Sequence, residues 1–589
     1  MFRIILFSLL SVFSSATYPQ TPLIVNKLTE PITFDGVPDE PAWQAIPSLP
    51  MVMHTPVVGN EPTEVSIIKI AYDDQNFYVS GFLNYKNPAD MRATSRKRDY
   101  SEGTCDWLGI IIDSFNDRKN AVSFWTNPNG LRTDGTAQND VSDQETDLSF
   151  SWNTFWDVKT EISEQGWAAE FKIPFSSLRF QVKEEKTLMG ITIVRYSPAK
   201  SEFTTFPAIP PNFTYSLWKP SNTSIIEFSG LKPKNPVYIA PYLTSGVGQA
   251  NDLNESGTAY KMNTTPKFDA GVDLKYSITN NLTADLTVNT DFAQVEADDQ
   301  KINLTRFSLF FPEKRIFFQE KSDVFDFPLL GGNNMFYSRR IGLYNGNPVR
   351  IFGGVRMTGR INKWDIGILD LQTSSFEENP SENFGVIRTK RGLFNENSYL
   401  GGIATSRIGM DGSYNLGYGL DGVVRVIGDE YLTVRWAQTF ENDSVKKVFD
   451  MAPSRFLINW EHRNQIGFGY DFVYTWSGDR FNPGIGFEVK DNYQGVRGIL
   501  RQGWLPEGDV FIRYHSLSLT AYDFWNTASS LHETTSAALA WSFEAKKGFS
   551  GSVSATWEIE DLADILYLGN DQASVPTGRY SFAYITAQY

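Results

Sequence analysis

Acidic side chains dominate the residues of this chain that could do chemistry. The 589 residues include 68 Asp or Glu and 53 Lys or Arg, giving a formal net charge of −15. Glycoside hydrolysis needs two carboxylates about 5–10 Å apart in a cleft, and Glu313 with Glu320 is one pair that could serve. Calcium needs several oxygen ligands converging from loops. The loops 113–120 ("DSFNDRKN") and 139–147 ("NDVSDQETD") are acidic enough, with Asp113 and Asp117 as candidate ligands, although loops this acidic more often stay metal-free.

Other catalytic chemistries lack their motifs. The sequence has no G-x-S-x-G elbow, no H-E-x-x-H motif and no Walker A loop. The single cysteine, Cys105, excludes a disulfide within the chain and a multi-cysteine metal site, and the four histidines lie far apart. The net negative charge argues against nucleic acid as a partner. The residues therefore favour a protein that is not an enzyme.

The N-terminus predicts export. Arg3 precedes an apolar core over residues 4–13 and the small residues Ser14, Ser15 and Ala16. This is the pattern of a signal peptide over residues 1–16. Its apolar run is too short for a membrane-spanning helix, which needs about 20 residues.

The composition changes near residues 232–236, and a long series of alternating segments follows. In one segment Leu282, Ala284, Leu286 and Val288 alternate with Thr283, Asp285, Thr287 and Asn289. Similar apolar faces recur in three further segments. Their residues are Val349, Ile351, Val355, Met357 and Ile361 in the first; Tyr414, Leu416, Tyr418, Leu420, Val424 and Val426 in the second; and Ile466, Phe468, Tyr470, Phe472, Tyr474 and Trp476 in the third. Since successive strand side chains point to opposite faces, each segment has an apolar and a polar face.

Two architectures produce this alternation. A soluble antiparallel sheet buries its apolar face, whereas a transmembrane β-barrel turns that face to lipid and its polar face to the lumen. The length of the series, the aromatic residues toward strand ends and the charges on the polar faces favour a barrel of about 14–18 strands. The stretch 303–325 ("NLTRFSLFFPEKRIFFQEKSDVF") breaks alternation, which predicts an inward-folded or interface-level segment with its charges paired.

The N-terminal part resembles the family 9 carbohydrate-binding-module-like domain. The resemblance is carried by "PITFDGVPDEPAWQAIP" (31–47), "IKIAYDDQNFYVSGFLN" (68–84), the stretch 98–135 and "GWAAEFKIPFSSLRF" (166–180). It implies a β-sandwich over residues 30–228 that can bind glycans, in some relatives with calcium support. Such binding uses flat aromatic faces flanked by polar groups. The candidates are Trp125, Trp152 and Trp156 with Arg98, Asp106 and Asn127, whereas Trp43 and Trp167 are expected in the core.

Residues 237–589 resemble the domain of unknown function that follows such modules in outer-membrane proteins. The most specific stretches are 289–325 and "FYSRRIG" (336–342). Members of that family continue with several more strands. In the last segment Tyr580, Phe582 and Tyr584 are out of phase with Tyr589, so we expect a barrel truncated at its C-terminus.

Together these observations predict an all-β protein, an N-terminal β-sandwich followed by a transmembrane antiparallel β-barrel. We expect an outer-membrane protein with a periplasmic module that binds or takes up a glycan or another envelope ligand. Its partners would be an oligosaccharide and outer-membrane lipid, its only candidate cofactor calcium, and its context carbohydrate catabolism. The alternative is a secreted glycoside hydrolase with an appended binding module.

Overall fold

Strands make up nearly all of the regular structure in the computed structural model. It describes residues 21–99, 103–138, 140–141, 147–150, 152–178, 180–232, 237–254, 256, 258–279, 281–289, 309–311, 313, 315–319, 322–344, 347–395, 397–442, 449–508, 510–529, 531–563, 565–568 and 573–589. The predicted signal peptide and Glu320 lie outside these residues. No helix in the described ranges is both long and apolar enough to span a membrane.

The N-terminal module is a sandwich of two sheets. Its strands are β1 (Leu23–Ile24), β2 (Asn26–Lys27), β3 (Val52–Thr55), β4 (Ser66–Tyr72), β5 (Asn76–Asn84), β6 (Trp107–Asp113), β7 (Ala121–Thr126), β8 (Thr133–Ala137), β9 (Leu148–Ser149), β10 (Asp157–Ser163), β11 (Gly166–Pro174), β12 (Lys186–Ser197), β13 (Glu202–Phe206) and β14 (Ser224–Ser229). Helices α1 (Pro41–Gln44) and α2 (Phe175–Leu178) are single turns, and 3₁₀ turns lie at Pro88–Asp90, Pro198–Lys200, Ser216–Trp218 and Pro220–Asn222.

The two sheets of the module enclose one apolar core. The nine-stranded sheet runs β1-β14-β12-β6-β7-β8-β9, with β13 joining β12 to β3, and the five-stranded sheet runs β10-β11-β5-β4-β2. Alternate residues of both sheets meet between them, among them Ile110 and Phe124 from one sheet and Val79 and Phe171 from the other. The opposite face of the larger sheet is covered as well, by a second apolar cluster that includes Trp107 and Trp125.

A buried carboxylate explains the most distinctive residues of the module. Glu170 on β11 accepts hydrogen bonds from Trp43 Nε1 at 2.9 Å and from the backbone N–H groups of Asp35 and Gly36 at 3.2 and 3.0 Å. Gly36 has φ +102°, and a Cβ there would lie 2.9 Å from the backbone nitrogen of Thr160. Trp43 and Trp167 are fully buried, which confirms their predicted core positions. These residues therefore hold the scaffold together.

The C-terminal part forms one 16-stranded antiparallel sheet in sequence order, within the predicted range of strand number. Its strands are β15 (Val237–Leu253), β16 (Tyr260–Thr279), β17 (Leu282–Val288), β20 (Ile351–Ile361), β21 (Trp364–Thr373), β22 (Glu382–Gly392), β23 (Tyr399–Gly409), β24 (Tyr414–Ile427), β25 (Glu430–Glu441), β26 (Ser454–His462), β27 (Gly467–Ser477), β28 (Tyr493–Trp504), β29 (Ile512–Asn526), β30 (His532–Ala545), β31 (Ser550–Leu562) and β34 (Gly578–Gln588). Two short hairpins lie outside it, β18 (Leu343–Tyr344) with β19 (Asn347–Pro348) and β32 (Leu566–Leu568) with β33 (Ala573–Val575).

The two faces of this sheet differ as the alternation predicts. Leu286 is exposed on the outer face, whereas its neighbour Thr287 is buried on the inner face. One predicted face is wrong. Ile351 is fully buried inside, because the register with β21 shifts between Ile351 and Gly353 and turns the start of β20 inward. Apart from this shift, the sheet has a largely apolar exterior and an interior that combines polar and charged side chains with one apolar patch.

The described residues between 309 and 344 fold into the sheet and form the inner segment. It contains α3 (Ile316–Gln319) and 3₁₀ turns at Ser322–Phe325 and Ser338–Arg340. Phe317, Phe325 and Phe327 pack with Leu371 and Phe384 of the sheet in one buried cluster. The fold is therefore all-β, with a sandwich followed by an antiparallel barrel sheet. The prediction of an inward-folded segment over residues 303–325 is confirmed for its described residues, whereas residues 303–308, 312, 314, 320 and 321 lie outside the described part of the chain.

Candidate functional site

The three tryptophans predicted to bind sugar are packed against other aromatic rings. Trp156 is 2% exposed and stacks on Phe171 with ring centres 5.8 Å apart. Trp152 lies in the same sandwich core, and Phe124 contacts both tryptophans edge-on. Trp125 lies in a separate cluster against Trp218, with ring centres 4.8 Å apart. The structure does not bring the three together, and the burial of their rings counts against stacking on a sugar, which stays a prediction.

The three polar partners of those tryptophans bind other parts of the module. Arg98 donates to Asn153 Oδ1 at 3.0 Å and to Asp134 Oδ1 at 2.5 Å. Asn127 donates to the carbonyl of Ser95 at 2.9 Å, and its own Oδ1 accepts from Asn129 N. These contacts tie the segment before β6 to the sheet edge.

Asp106 is buried and binds the backbone of the same segment before β6. Its carboxylate accepts from the backbone N–H of Arg92 at 2.5 Å and from the hydroxyl of Tyr85. Burial raises the pKa of Asp106 to about 7, although the Arg92 N–H and the nearby Arg195 guanidinium act in the opposite direction. A carboxyl group so enclosed is a structural anchor.

The calcium candidates Asp113 and Asp117 already have partners. Asp113 accepts from the backbone N–H groups of Asp117 and Arg118 at 3.1 and 2.7 Å. Asp117 Oδ1 accepts from the backbone N–H of Asn120 at 2.9 Å, and its Oδ2 lies 2.5 Å from Arg360 Nη1 on β20. Within the described ranges no group of three or more acidic, His or Cys side chains could hold a metal ion. Asp117 is thus paired with a guanidinium in this structure, and calcium binding by the loop stays a prediction.

Charge states of these two aspartates differ. Burial raises the pKa of Asp113 well above its usual range, and the neighbouring Asp117 carboxylate raises it further. Burial also opposes ionisation of Asp117, but Arg360 and the loop N–H groups outweigh it and lower its pKa. Asp117 is therefore the charged member of the pair, and it faces the barrel.

Several charged side chains inside the barrel are paired with opposite charges or bound to backbone carbonyls. Arg388 and Asp421 form a doubly hydrogen-bonded pair at 2.6 Å, and both side chains are fully buried. Arg356 pairs with Asp285 at 3.0 Å. Glu313, one of the two carboxylates considered for glycoside hydrolysis, is bound by Arg315 at 2.7 Å and by Ser338 at 2.6 Å.

Three arginines on three strands fix the inner segment. Arg388 on β22 donates to the carbonyl of Asp326 at 3.2 Å, Arg435 on β25 to that of Pro328 at 2.6 Å, and Arg455 on β26 to that of Leu329 at 2.9 Å. We call these contacts the arginine row. No sequence signal marked them, because each contact joins residues more than 60 positions apart.

The two ends of the barrel are distinguished by the strands that connect there. We call one end the turn end, where β20 connects to β21, β22 to β23, β24 to β25 and β26 to β27. We call the opposite end the loop end. The module lies against the turn end. Gln465 N donates to the carbonyl of Asn212 at 2.7 Å, and Ser201 Oγ donates to that of Lys547 at 3.2 Å.

The loop-end cavity has a volume of about 1000 Å³ and a mostly polar lining. Arg407 binds Glu382 through two contacts at 2.7 and 2.9 Å. Asn415 donates to Glu441 Oε1 at 3.0 Å, and Asn482 donates to the same oxygen. Amides and charged groups around an opening of this size can bind a polar solute with many hydroxyl groups.

Comparisons with known proteins follow the same division of the chain. The family model described as a domain of unknown function (DUF5916) matches residues 237–352. No curated protein sequence matches the chain. A carbohydrate binding module family 9 from Caldicellulosiruptor kristjanssonii, solved in complex with cellotriose, is 19% identical, covers 37% of this chain and 100% of its own, and has a TM-score of 0.25.

Barrel proteins of known structure match over more of the chain. OccK7 (OpdD) from Pseudomonas aeruginosa is 8% identical over 82% of this chain and 98% of its own, with a TM-score of 0.25. OccAB2 from Acinetobacter baumannii is 8% identical over 82% of this chain and 96% of its own, with a TM-score of 0.28. The chain is thus similar to family 9 carbohydrate-binding modules in its N-terminal part and to outer-membrane barrel proteins over most of its length.

Proposed function

We propose that the protein is an outer-membrane β-barrel that binds an oligosaccharide or a similar polar envelope ligand at its loop end for uptake. In this proposal the outer face of the barrel contacts lipid and the module lies in the periplasm. The observation that carries the proposal is the inside-out distribution of side chains over the 16-stranded sheet.

The outer face exposes large apolar side chains on strand after strand. Phe268 is 74% exposed, Leu420 is 57% exposed and Leu400 is 55% exposed. In water such a surface would far exceed the apolar patches of ordinary soluble proteins, which reach a few hundred Å². In a membrane it faces hydrocarbon, and the charged residues on the inner face avoid the cost of entering lipid.

Aromatic side chains at the turn end support an interfacial position there. Trp364 begins β21, Trp460 lies near the end of β26, Phe468 lies near the start of β27 and Trp504 ends β28; all four are exposed. Tryptophan favours the membrane–water interface because its ring is apolar and its N–H is polar. Bacterial barrels have their short turns on the periplasmic side, which supports a periplasmic module.

Binding at the loop-end cavity can be measured on the full chain in detergent micelles. We expect titration calorimetry against a panel of neutral oligosaccharides to detect a ligand, and Asn482→Ala to weaken that binding about tenfold by removing one hydrogen bond of about 1–1.5 kcal/mol. Asn464→Ala, a matched change at the turn end, should leave the affinity unchanged. No binding to any member of the panel, or equal losses in both variants, would contradict the loop-end assignment.

A further inference from the structure

A second cavity, of about 540 Å³, lies where the module meets the turn end. We call it the turn-end cavity. The module contributes residues 114–122 and 136–138, the turns contribute 359–365 and 390–399, and the inner segment contributes Asp323 and Val324. It is separate in residues from the loop-end cavity and has no role in the function proposed above.

Two lysines line the turn-end cavity without a carboxylate partner. Lys119 Nζ lies 3.5 Å from the carbonyl of Ser398, and Lys390 Nζ donates to the carbonyl of Asp323 at 2.9 Å. Both ammonium nitrogens lie within 6.0 Å of the centre of the Tyr399 ring. Among the described residues, neither nitrogen has a carboxylate oxygen within 4.0 Å.

The nearest carboxylates of the lining are engaged by an arginine. Arg360 is 2.5 Å from Asp117 and binds Asp365 through contacts at 2.5 and 2.9 Å. Asp323 is the remaining carboxylate of the lining, against the cations of Lys119, Lys363 and Lys390. Over the whole lining, four cations including Arg360 face three carboxylates, which leaves one positive charge in excess.

The surroundings also penalise the charge on Lys119. Burial lowers the pKa of Lys119, and the nearby Arg360 and Lys390 cations lower it further, against the opposite effects of Asp117 and Asp365. A buried cation is stable only when an anion or several acceptors compensate it. An anionic group from a ligand would supply that compensation.

We propose that the turn-end cavity binds an acidic saccharide, with the carboxylate of a uronic-acid residue between Lys119 and Lys390. The volume lies within the range of about 300–1,000 Å³ that is typical of small-molecule sites. The Tyr399 ring lies in the lining beside both lysines, and the side-chain amides of Asn116 and Gln138 offer partners for hydroxyl groups. The proposal goes beyond the loop-end site and does not depend on binding there.

The test uses the full chain in detergent micelles and titration calorimetry with trigalacturonic acid, a neutral trisaccharide and inorganic phosphate. We expect trigalacturonic acid to bind and the affinity to fall as salt is added. Lys119→Met and Lys390→Met should each weaken binding at least tenfold, whereas Lys159→Met, an exposed lysine on β10, should not change it. Unchanged affinity in both cavity variants would overturn the proposal. Equal binding of the neutral trisaccharide, or of phosphate, would overturn the assignment to an acidic saccharide.

A second measurement needs no variant. Amine-reactive labelling followed by mass spectrometry should show Lys119 protected by trigalacturonic acid and Lys159 labelled equally with and without it. Equal labelling of Lys119 with and without trigalacturonic acid would overturn the proposal. This measurement uses the wild-type protein, so it does not depend on whether the variants fold. Asn482→Ala at the loop end should leave the binding of trigalacturonic acid intact, which separates a failure of this site from a failure of the loop-end site.

Discussion

The module and the barrel use the same residue types in opposite places. Trp43 and Trp167 of the module are fully buried, whereas Trp460 and Trp557 of the barrel are about half exposed. Arg388 and Arg455 of the barrel, in contrast, are fully buried and compensated by Asp421 or by carbonyl groups. Burial in this chain therefore follows the region in which a residue lies rather than its type, as the proposed contact of the barrel with lipid requires.

The largest expected effect comes from breaking a buried pair inside the barrel. Arg388→Met would leave the Asp421 carboxylate buried without its partner, which we expect to cost about 3–5 kcal/mol. Denaturant unfolding in micelles, followed by tryptophan fluorescence, measures the loss. The double variant Arg388→Met/Asp421→Asn should recover most of it, since no unpaired charge remains. If the single and double variants were equally unstable, the ion pair would not be what stabilises the interior.

A buried histidine gives the module its own response to acid. His54 Nδ1 lies 3.3 Å from the carbonyl of Ile209, which can only accept, so Nδ1 carries the proton and Nε2 accepts from Ser216 Oγ at 3.2 Å. Burial lowers the pKa of His54 to about 4 from an ordinary value of 6.5. The contribution of His54 to the free energy of unfolding is therefore fully present above pH 6.5. It is lost as the pH falls toward 4, by roughly 3 kcal/mol in all.

The measurement for His54 compares the wild type with His54→Gln between pH 7 and pH 4. Asp106, with its pKa raised to about 7, gains stability over the same range because the folded state binds its proton first. That gain occurs in both proteins and cancels in the difference. We expect the stability difference to shift in favour of the variant as the pH falls. A constant difference would mean that His54 titrates normally.

Neighbouring positions on β17 test the two faces of the barrel directly. Leu286→Arg places a charge on the outer face and should cost about 2 kcal/mol or more, depending on its depth in the membrane. Thr287→Arg places the same charge on the inner face, near Asp273, which accepts from Thr287 at 2.6 Å. We expect only Leu286→Arg to reduce the fraction of protein that resists carbonate extraction. Equal effects would mean that the outer face does not contact lipid.

The two faces of the strands could be predicted from the sequence, because alternation depends only on neighbouring residues. Leu286 and Thr287 could be assigned from their neighbours alone, and so could the inward fold around Phe317. Ile351 could not, since a register shift with β21 is set by pairing with another strand. Trp125 follows the inward-facing Phe124 on β7, so its side chain points to the other face of that sheet. Its burial could not be predicted, because it depends on Trp218, which is distant in the chain.

The candidate metal loop shows the same limit. Its acidic residues were considered as calcium ligands, which stays a prediction, but Asp117 pairs with Arg360, more than 240 positions away. Spacing within a loop cannot reveal such a partner, because it depends on how the module and the barrel pack. The turn-end cavity was invisible for the same reason, as its lining comes from three separate parts of the chain.

The arginine row has a consequence for movement within the barrel. Its three donors lie on three different strands, while their acceptors at residues 326–329 belong to one short piece of backbone. Withdrawing that piece would remove one acceptor from each of three guanidinium groups in a single step, in a place where an unmade hydrogen bond is costly, although Arg388 would keep Asp421 and Arg455 would keep Tyr493. We therefore expect the three contacts to break together rather than by gradual fraying of the inner segment. Its opening and closing would be cooperative, with intermediate positions less stable than either end state.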